Sequence, residues 1–365
     1  MNKKIIIFMP SIEGGGVEKN LFLITNYLSK ELNNITLITS SKEFKNKFKK
    51  IKYVTPYLNL SNYGRKIKYL FCLYELIKLI IWKRETLILS FQANVYCILV
   101  AKFFNSKIIV RSNSSPSGWS KNFFKRKLFK LILGFADTII VNSKDFKMEF
   151  KKQFNLNTVM IYNPLNKDEI INLSKKKINF SFFNKRKKSL KIINIGRMTE
   201  QKNQLMLLKA VNILKKKIKI RLLLIGRGVL RNNLELFIKR NNLNKIVKII
   251  NFKKNPFPYL KKSDLFVLTS NFEGLPNVLL EAATLKKFII STNCPTGPKE
   301  ILENGKNGIL VKMNDYNNLS EKINFFYKNK KEFIKKINYN FKSLNRFNYY
   351  KRLEEYKKEV NKLLN

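Results

Sequence analysis

Histidine is absent from all 365 residues of the chain. That absence removes imidazole acid–base chemistry, Ser–His nucleophilic catalysis and histidine ligation of a metal. Proton transfer falls to carboxylates, lysines, tyrosines, substrate groups or water. Cysteine is scarce: Cys72, Cys97 and Cys294 form no CxxC pair and no even framework. This argues against a disulfide scaffold or zinc site and for a reducing compartment. Long apolar runs are missing as well. Tyr69–Trp82 is interrupted by Glu75 and Lys78, and Leu128–Val141 by Lys130 and Asp137. Neither reaches the ~20 clean residues of a membrane span. Ile5–Met9 follows a basic N-terminus but is too short for a signal peptide, and Pro10 and Glu13 come next without a small-residue cleavage site. It is expected to be a first buried strand, in a cytoplasmic chain that is soluble or peripherally attached to a membrane.

Acidic residues are also few, 24 against 73 Lys and Arg, for a net charge of +49. Such a balance suits an anionic partner: nucleic acid, an anionic membrane face or a phosphorylated substrate. The lysines are spread along the chain, however, and Asn, Ile and Phe are abundant with them, as AT-rich coding produces. Nucleic-acid binding is therefore not expected. Hydrophobic residues make up 45% of the chain, enough for two cores at this length.

Short apolar strands alternate with amphipathic helices. In the first half the strands are Ile5–Met9, Ile35–Thr39, Leu87–Ser90, Lys107–Arg111, Thr138–Asn142 and Val159–Tyr162. Helices are expected at Asn20–Leu32, Ile67–Trp82, Tyr96–Phe104 and Lys121–Phe135. After Asn163-Pro164 the chain turns polar and lysine-rich, which reads as a linker over 166–188. A second series follows, with strands Ile192–Ile195, Arg221–Ile225, Val247–Ile250, Leu265–Thr269 and Phe288–Ser291. Its helices are Gln204–Lys215, Val229–Asn241 and Pro276–Leu285, and a charged helical tail closes the chain. The pattern predicts an α/β protein with two Rossmann-like domains, 1–165 and 189–340, and a tail at 341–365.

Two strand-to-helix turns are built to meet phosphate. Gly14-Gly15-Gly16 follows the first strand, where glycines let backbone N–H groups approach an anion at a helix start. It is not a GxGxxG fingerprint. In the second domain Gly196-Arg197 follows a strand, with Lys202 shortly after. Arg197 can grip a phosphate with two parallel hydrogen bonds and Lys202 supplies a point charge.

The most informative stretch is Ser270-Asn271-Phe272-Glu273-Gly274-Leu275-Pro276-Asn277-Val278-Leu279-Leu280-Glu281. Glu273 lies on a loop, Pro276 suits the first helical position and Glu281 lies further along that helix. Pure helix would separate the two carboxylates by ~12 Å, a span that suits one ligand held at both ends. Asn277 and Val278 would aim their amides at an anion between them. A nucleotide sugar has a ribose, a diphosphate and a sugar in line, so one Glu could hold the ribose and the other the sugar. Neutralising the departing diphosphate is the catalytic need.

Glu273 to Glu281 resembles the EX7E motif of retaining, GT-B-fold glycosyltransferases of family 4. The resemblance extends through Gly15-Gly16-Val17-Glu18, Ala136–Ser143, Ile161-Tyr162-Asn163-Pro164, Gly196–Asn203 and Leu224-Ile225-Gly226. It implies two Rossmann-like domains facing a cleft, with C-terminal helices returning to the N-terminal, acceptor-binding domain. It also implies metal-independent transfer with retention, the departing phosphate assisting as base. By family pattern Glu281 binds the ribose and Glu273 the donor sugar; Arg197 and Lys202 bind the diphosphate with the backbone of Gly15 and Gly16. Gly274 and Leu275 belong to the same donor loop, and Asn251-Phe252 meets the base. No other cofactor is implied. Cys294-Pro295-Thr296-Gly297-Pro298-Lys299-Glu300-Ile301-Leu302 is similar to the branch containing bacterial surface-glycan N-acetylgalactosaminyltransferases. That similarity implies a UDP-sugar donor and a lipid-linked glycan acceptor.

Three positions depart from the family. Arg111-Ser112-Asn113 stands where many relatives carry a histidine, so Arg111 and Asn113 are the candidates for acceptor handling. Arg227 replaces an acidic residue, and Thr284-Leu285-Lys286-Lys287 replaces a turn of small residues. The segment 119–133 mixes Phe and Leu with Lys and Arg, Phe129 and Leu133 falling inside the basic arc. It is a candidate contact for an anionic membrane, with Gly64–Arg84 as a second. The competing readings are a sugar-nucleotide epimerase, whose usual histidines are missing, a nucleic-acid-binding protein and an inactive nucleotide-sugar binder.

Overall fold

In the computed structural model the described residues are 4–13, 15–81, 86–113, 122–183 and 189–365. Branched apolar runs make the strands. In β1 (Lys4–Phe8) the residues Ile5, Ile6, Ile7 and Phe8 are all buried, as befits a central parallel strand covered on both faces. It is followed by α1 (Gly16–Glu31), β2 (Ile35–Ile38), β3 (Lys52–Val54), α2 (Arg65–Ile80), β4 (Thr86–Ser90), α3 (Asn94–Phe103) and β5 (Lys107–Arg111). Then come α4 (Phe123–Gly134), β6 (Thr138–Val141), α5 (Lys144–Phe154) and β7 (Val159–Met160). Among the described residues these form a seven-stranded parallel sheet in the order β3-β2-β1-β4-β5-β6-β7.

The side chains of this sheet alternate between two cores, following the period of two of a strand. Ile6, Phe8, Ile88, Ile108 and Val110 pack against α2, α3, α4 and α5. Ile5, Ile7, Leu87, Leu89 and Ile109 pack against α1 and against α14 (Tyr349–Leu364) from the far end of the chain. That last helix buries Leu353, Tyr356 and Val360. Contacts within the chain group residues up to Pro164 with Tyr349–Asn365 as one compact unit and Leu165–Asn348 as the other.

The second unit repeats the plan: α6 (Lys167–Ser174), β8 (Leu190–Ile195), α7 (Gln204–Leu214), β9 (Ile220–Ile225), α8 (Arg231–Arg240), β10 (Val247–Ile250), α9 (Phe257–Lys261) and β11 (Leu265–Leu268). It continues with α10 (Asn277–Thr284), β12 (Phe288–Thr292), α11 (Pro298–Ile301), β13 (Ile309–Val311), α12 (Tyr316–Lys328) and α13 (Ile334–Ser343). Its parallel sheet runs β10-β9-β8-β11-β12-β13. Both orders therefore reverse direction beside their first strand, where such sheets open a crevice at the carboxyl ends.

Several expectations need correction. The stretch expected as a linker, 166–188, opens with α6, whose Ile170 is buried and which packs on α9 and α10; residues 184–188 lie outside the described set. The expected tail boundary at residue 341 comes too early, because α13 and the turn after it stay with the second unit. Pro276 is not helical: its ψ of 105° makes it the cap, and Asn277 is the first helical residue. The helix then stops at Thr284 because Lys286 takes a left-handed conformation (φ 53°), the role a glycine commonly fills. On α4 the pair expected to face outward turns inward: Leu133 is buried and Phe129 packs on the same core. The exposed stripe is instead Phe124, Leu128, Leu131 and Phe135. Trp119 and Lys121 of that candidate segment lie outside the described residues. Among the described residues no helix is long and apolar enough to cross a membrane.

The second core has an aromatic centre in Phe288, whose ring stacks on Phe326 at 4.8 Å and meets Phe333 at 4.4 Å. Phe288→Ala should cost about 3–5 kcal/mol, since three rings lose their shared contact. Urea unfolding followed by circular dichroism would register this as a lower midpoint, and an unchanged midpoint would contradict the packing.

Candidate active site

The site in the second unit is assembled from turns after adjacent strands. After β8 the chain makes the turn Gly196–Asn203, and after β11 the turn Thr269–Pro276. These two turns are laced together. Asn271 donates its backbone N–H to Gln201 O at 2.8 Å, and its side-chain amide to Glu200 O at 2.8 Å. Gln201 Nε2 reaches Phe272 O at 3.0 Å, and Thr269 Oγ1 donates to Lys202 O at 3.0 Å. Asn203 sits in the left-handed region (φ 43°), and its side chain accepts from Met206 N to cap α7. Asparagine tolerates that conformation better than most residues.

The lacing brings Lys202 Nζ to 2.5 Å from Glu273 Oε1. Ser270 Oγ donates to the same carboxylate oxygen at 2.6 Å. Glu273 is buried, and its backbone carbonyl accepts the hydroxyl of Thr296 from the turn after β12. Cys294, in that turn, has its thiol pushed up to about 12, first by burial and then by the negative charge of Glu273. Ser270 and Thr296 are functional neighbours that sequence reasoning did not single out. Ser270 lies three positions before Glu273 and Thr296 lies inside the Cys294–Leu302 segment, so both stood in stretches that had already drawn notice.

Gly297 closes this turn at φ +73°, and a Cβ there would stand 1.9 Å from Gly274 O. The close approach fixes the loop of Gly274 and the buried Leu275 ahead of α10. The N-cap Pro276 makes no side-chain cap hydrogen bond, and Asn277 and Val278 lie in the first turn, at the positive end of the helix dipole. Glu281, four residues beyond Asn277, is buried in the same helix. The turns after β8, β9 and β10 carry the remaining donor candidates. Arg197 is exposed at the end of β8, and Met198 N donates to Arg227 O at 2.9 Å, joining the turns after β8 and β9. The Arg227 guanidinium lies 5.5 Å from the centre of the half-exposed Phe252 ring after β10, and Asn251 accepts a hydrogen bond from Arg231.

The first unit holds the other predicted residues. Gly15 is the N-cap of α1 and Gly16 its first residue, while Gly14 lies outside the described residues. Glu18 Oε1 accepts from Glu13 N at 3.2 Å, shaping the turn that presents these glycines. Arg111, expected at the acceptor, is instead buried: Nε donates to Tyr356 Oη at 2.8 Å and another guanidinium nitrogen to Asn163 Oδ1 at 2.7 Å. Its remaining nitrogen holds Asn113 Oδ1. Arg111 therefore anchors α14 and positions Asn113, which is only partly covered.

Residues 175–362 match the family model described as glycosyl transferases group 1, a span of more than half the chain. The chain belongs to that family. It is 35% identical over 247 residues to an uncharacterized glycosyltransferase of Methanocaldococcus jannaschii, spanning 63% of this chain and 61% of that relative. It is 28% identical over 254 residues to N-acetylgalactosamine-N,N'-diacetylbacillosaminyl-diphospho-undecaprenol 4-alpha-N-acetylgalactosaminyltransferase of Campylobacter jejuni, with 64% of this chain and 67% of that one covered. The structure of Anabaena HepE in complex with UDP-glucose superposes with a TM-score of 0.78 at 18% identity, covering 99% of this chain and 100% of the other. That likeness establishes the GT-B fold for this glycosyltransferase.

The close approach of Gly297 to Gly274 makes a steric prediction. Gly297 and Gly305 both have positive φ, but nothing lies within 4 Å of a Cβ at Gly305. Gly297→Ala should therefore destabilise by on the order of 1–3 kcal/mol more than Gly305→Ala. Equal losses in denaturant midpoint would show that the approach to Gly274 is not a constraint.

Proposed function

We propose that this glycosyltransferase is a retaining, family 4 enzyme of the N-acetylgalactosaminyltransferase-like branch. It moves a hexose or N-acetylhexosamine from a UDP-sugar to a lipid-linked or surface-polysaccharide glycan. The observation that carries the reading is the lacing of the Gly196–Asn203 turn to the Glu273 turn, which leads into the start of α10. It joins Lys202 to the Glu273 carboxylate ahead of a helix start, and a nucleoside diphosphate joined to a sugar calls for a cation, a carboxylate and helix amides.

In this reading Asn251 and Phe252 receive the base, Glu281 the ribose hydroxyls and Glu273 the sugar hydroxyls. Arg197, Lys202 and the amides of Asn277 and Val278 take the diphosphate. These groups would neutralise the leaving group as its bond to the anomeric carbon breaks, without a metal. The departing phosphate oxygen takes the acceptor hydroxyl's proton on the face from which it leaves, so configuration is retained and no histidine is needed. Asn113, held by Arg111, would meet the acceptor. The name of the Campylobacter relative includes a diphospho-undecaprenol carrier, which favours a lipid-linked acceptor here and a cytoplasmic enzyme working at a membrane face, without nucleic acid as partner. The laced donor turns favour a transferase over an epimerase.

A thermal-shift screen of nucleotide sugars tests this. At a hundredfold excess over Kd, a cognate UDP-sugar should add about 2.7 kcal/mol of stability, several degrees of melting temperature. Glu281→Ala should abolish the shift. Glu273→Gln should keep UDP binding and lower kcat about 10²–10³-fold. Absence of any shift with every UDP- and GDP-sugar would contradict the donor assignment.

A further inference from the structure

Lysine is common throughout this chain, so charge alone marks no place on it. The amino ends of β9 and β10 differ because charge there lines a concave surface. The loop from α7 to β9 and the loop from α8 to β10 form two walls of a groove of about 920 Å³. Lys215, Lys216, Lys217, Lys219 and Arg221 line it from the first wall, Lys245 and Lys248 from the second. A hollow of about 520 Å³ adjoins it across Lys215–Lys217 and adds Arg240. No carboxylate lines either one among the described residues. The neighbouring chain supplies none: from Lys202 to Ser263 there are 17 Lys and Arg against Glu235 alone, and Glu235 pairs with Arg231. Elsewhere exposed lysines do find carboxylates, as Lys78 finds Glu75 and Lys102 finds Asp137.

Two of the seven cations in the groove build it, and five are exposed. Lys215 Nζ donates to Asn241 O at 2.6 Å, tying the first wall to the end of α8. Arg221 donates to Lys245 O at 2.9 Å and lies 5.0 Å from the centre of the Phe182 ring. Each loop is also closed on itself: Lys217 N and Ile218 N donate to Leu214 O, and Ile246 N and Val247 N to Leu243 O. The exposed Lys216, Lys217, Lys219, Lys245 and Lys248 therefore stand on fastened backbone. Like charges gathered this way repel, and an anion that bridges them removes the repulsion.

The lining selects among anions. Ammonium groups are hydrated point charges that hold phosphate without demanding one geometry. Single-stranded nucleic acid stacks its bases on aromatic rings beside the cations. Among the described residues Phe182 is the one aromatic side chain lining the groove, and the Arg221 guanidinium already lies against it. No free ring is left for a base, so the match is to phosphate alone.

We infer that this groove is a binding site for a linear chain of linked phosphates, an inorganic oligophosphate rather than a nucleoside polyphosphate. It is separate from the donor turns, because β9 runs from the groove to the turn carrying Arg227 and its six residues span about 17 Å. Isothermal titration calorimetry of tripolyphosphate into the full chain at physiological ionic strength tests it. Lys216→Gln, Lys217→Gln and Lys219→Gln together should weaken binding at least ~10-fold and lower the slope of log affinity against log salt by about one per lysine. Lys245→Gln with Lys248→Gln, from the other wall, should weaken it at least ~3-fold. The charge-matched triple Lys331→Gln, Lys335→Gln and Lys342→Gln, exposed and outside both hollows, should change it less than ~2-fold. Arg197→Gln in the donor turn should leave it unchanged, and metal-free ATP should bind no tighter than tripolyphosphate.

Wild-type failure to bind tripolyphosphate would overturn the inference. Equal losses in the groove triple and the charge-matched triple would overturn it too, leaving only diffuse surface charge. Loss of binding in Arg197→Gln would move the phosphates to the donor turns. Tighter binding of ATP, or of poly(U) in a manner weakened by Phe182→Leu, would assign the groove to a nucleoside or a nucleic acid instead.

Discussion

The ion pair between Lys202 and Glu273 is the constraint around which the second unit's site is arranged. Both side chains are largely withdrawn from water, 15% and 7% exposed. Charges at that depth have lost hydration and must recover it from close partners. Glu273 recovers it from Lys202 and Ser270, and its own backbone is gripped by Thr296. Each partner comes from a turn after a different strand, so the pair sets the spacing of the turns after β8, β11 and β12. The lacing through Gln201 and Asn271 then holds the Gly196–Asn203 turn against the Glu273 turn.

The two sheets supply this economy of placement by repeating one topology. In each, a central strand is flanked by its sequence successors in opposite directions, and the turns after the strands collect where such sheets open a crevice. The first unit uses its turns for the Gly15–Gly16 helix start and for Asn113. There the buried Arg111 takes the anchoring role, with neutral acceptors from Tyr356, Asn163 and Asn113. A guanidinium is suited to this because its five donors can be divided among several acceptors. The last helix is thereby fastened to the end of β5, and its other ties, Lys357 to Glu31 and Tyr27 to Glu354, hold it along α1.

Much of this was legible in the chain, because strand-forming runs such as Ile5–Phe8 and Leu265–Leu268 are continuous and apolar. The Glu273–Glu281 spacing likewise drew attention to the loop that the structure laces to the Gly196–Asn203 turn. What escaped had weaker or masked signals. The strand β3 is only Lys52-Tyr53-Val54 at a sheet edge, too short for a period. The helix α5 was missed although Ser143 caps it and Phe146, Phe150 and Phe154 recur every fourth residue, because lysines crowd the intervals. The inward turn of Phe129 and Leu133 escaped because α4 has two apolar stripes, and sequence alone does not say which one meets the sheet. The hydrogen bonds of Gln201, Asn271 and Thr296 depend on turns meeting across the sheet, which no local pattern encodes.

A double-mutant cycle on UDP-sugar affinity, combining Lys202→Met and Glu273→Gln, measures the central coupling directly. If the two groups grip one ligand as a unit, the double variant should lose at least ~1 kcal/mol less than the sum of the single losses. Additive losses would contradict a shared site, and unchanged affinity in all three variants would remove the pair from donor binding altogether.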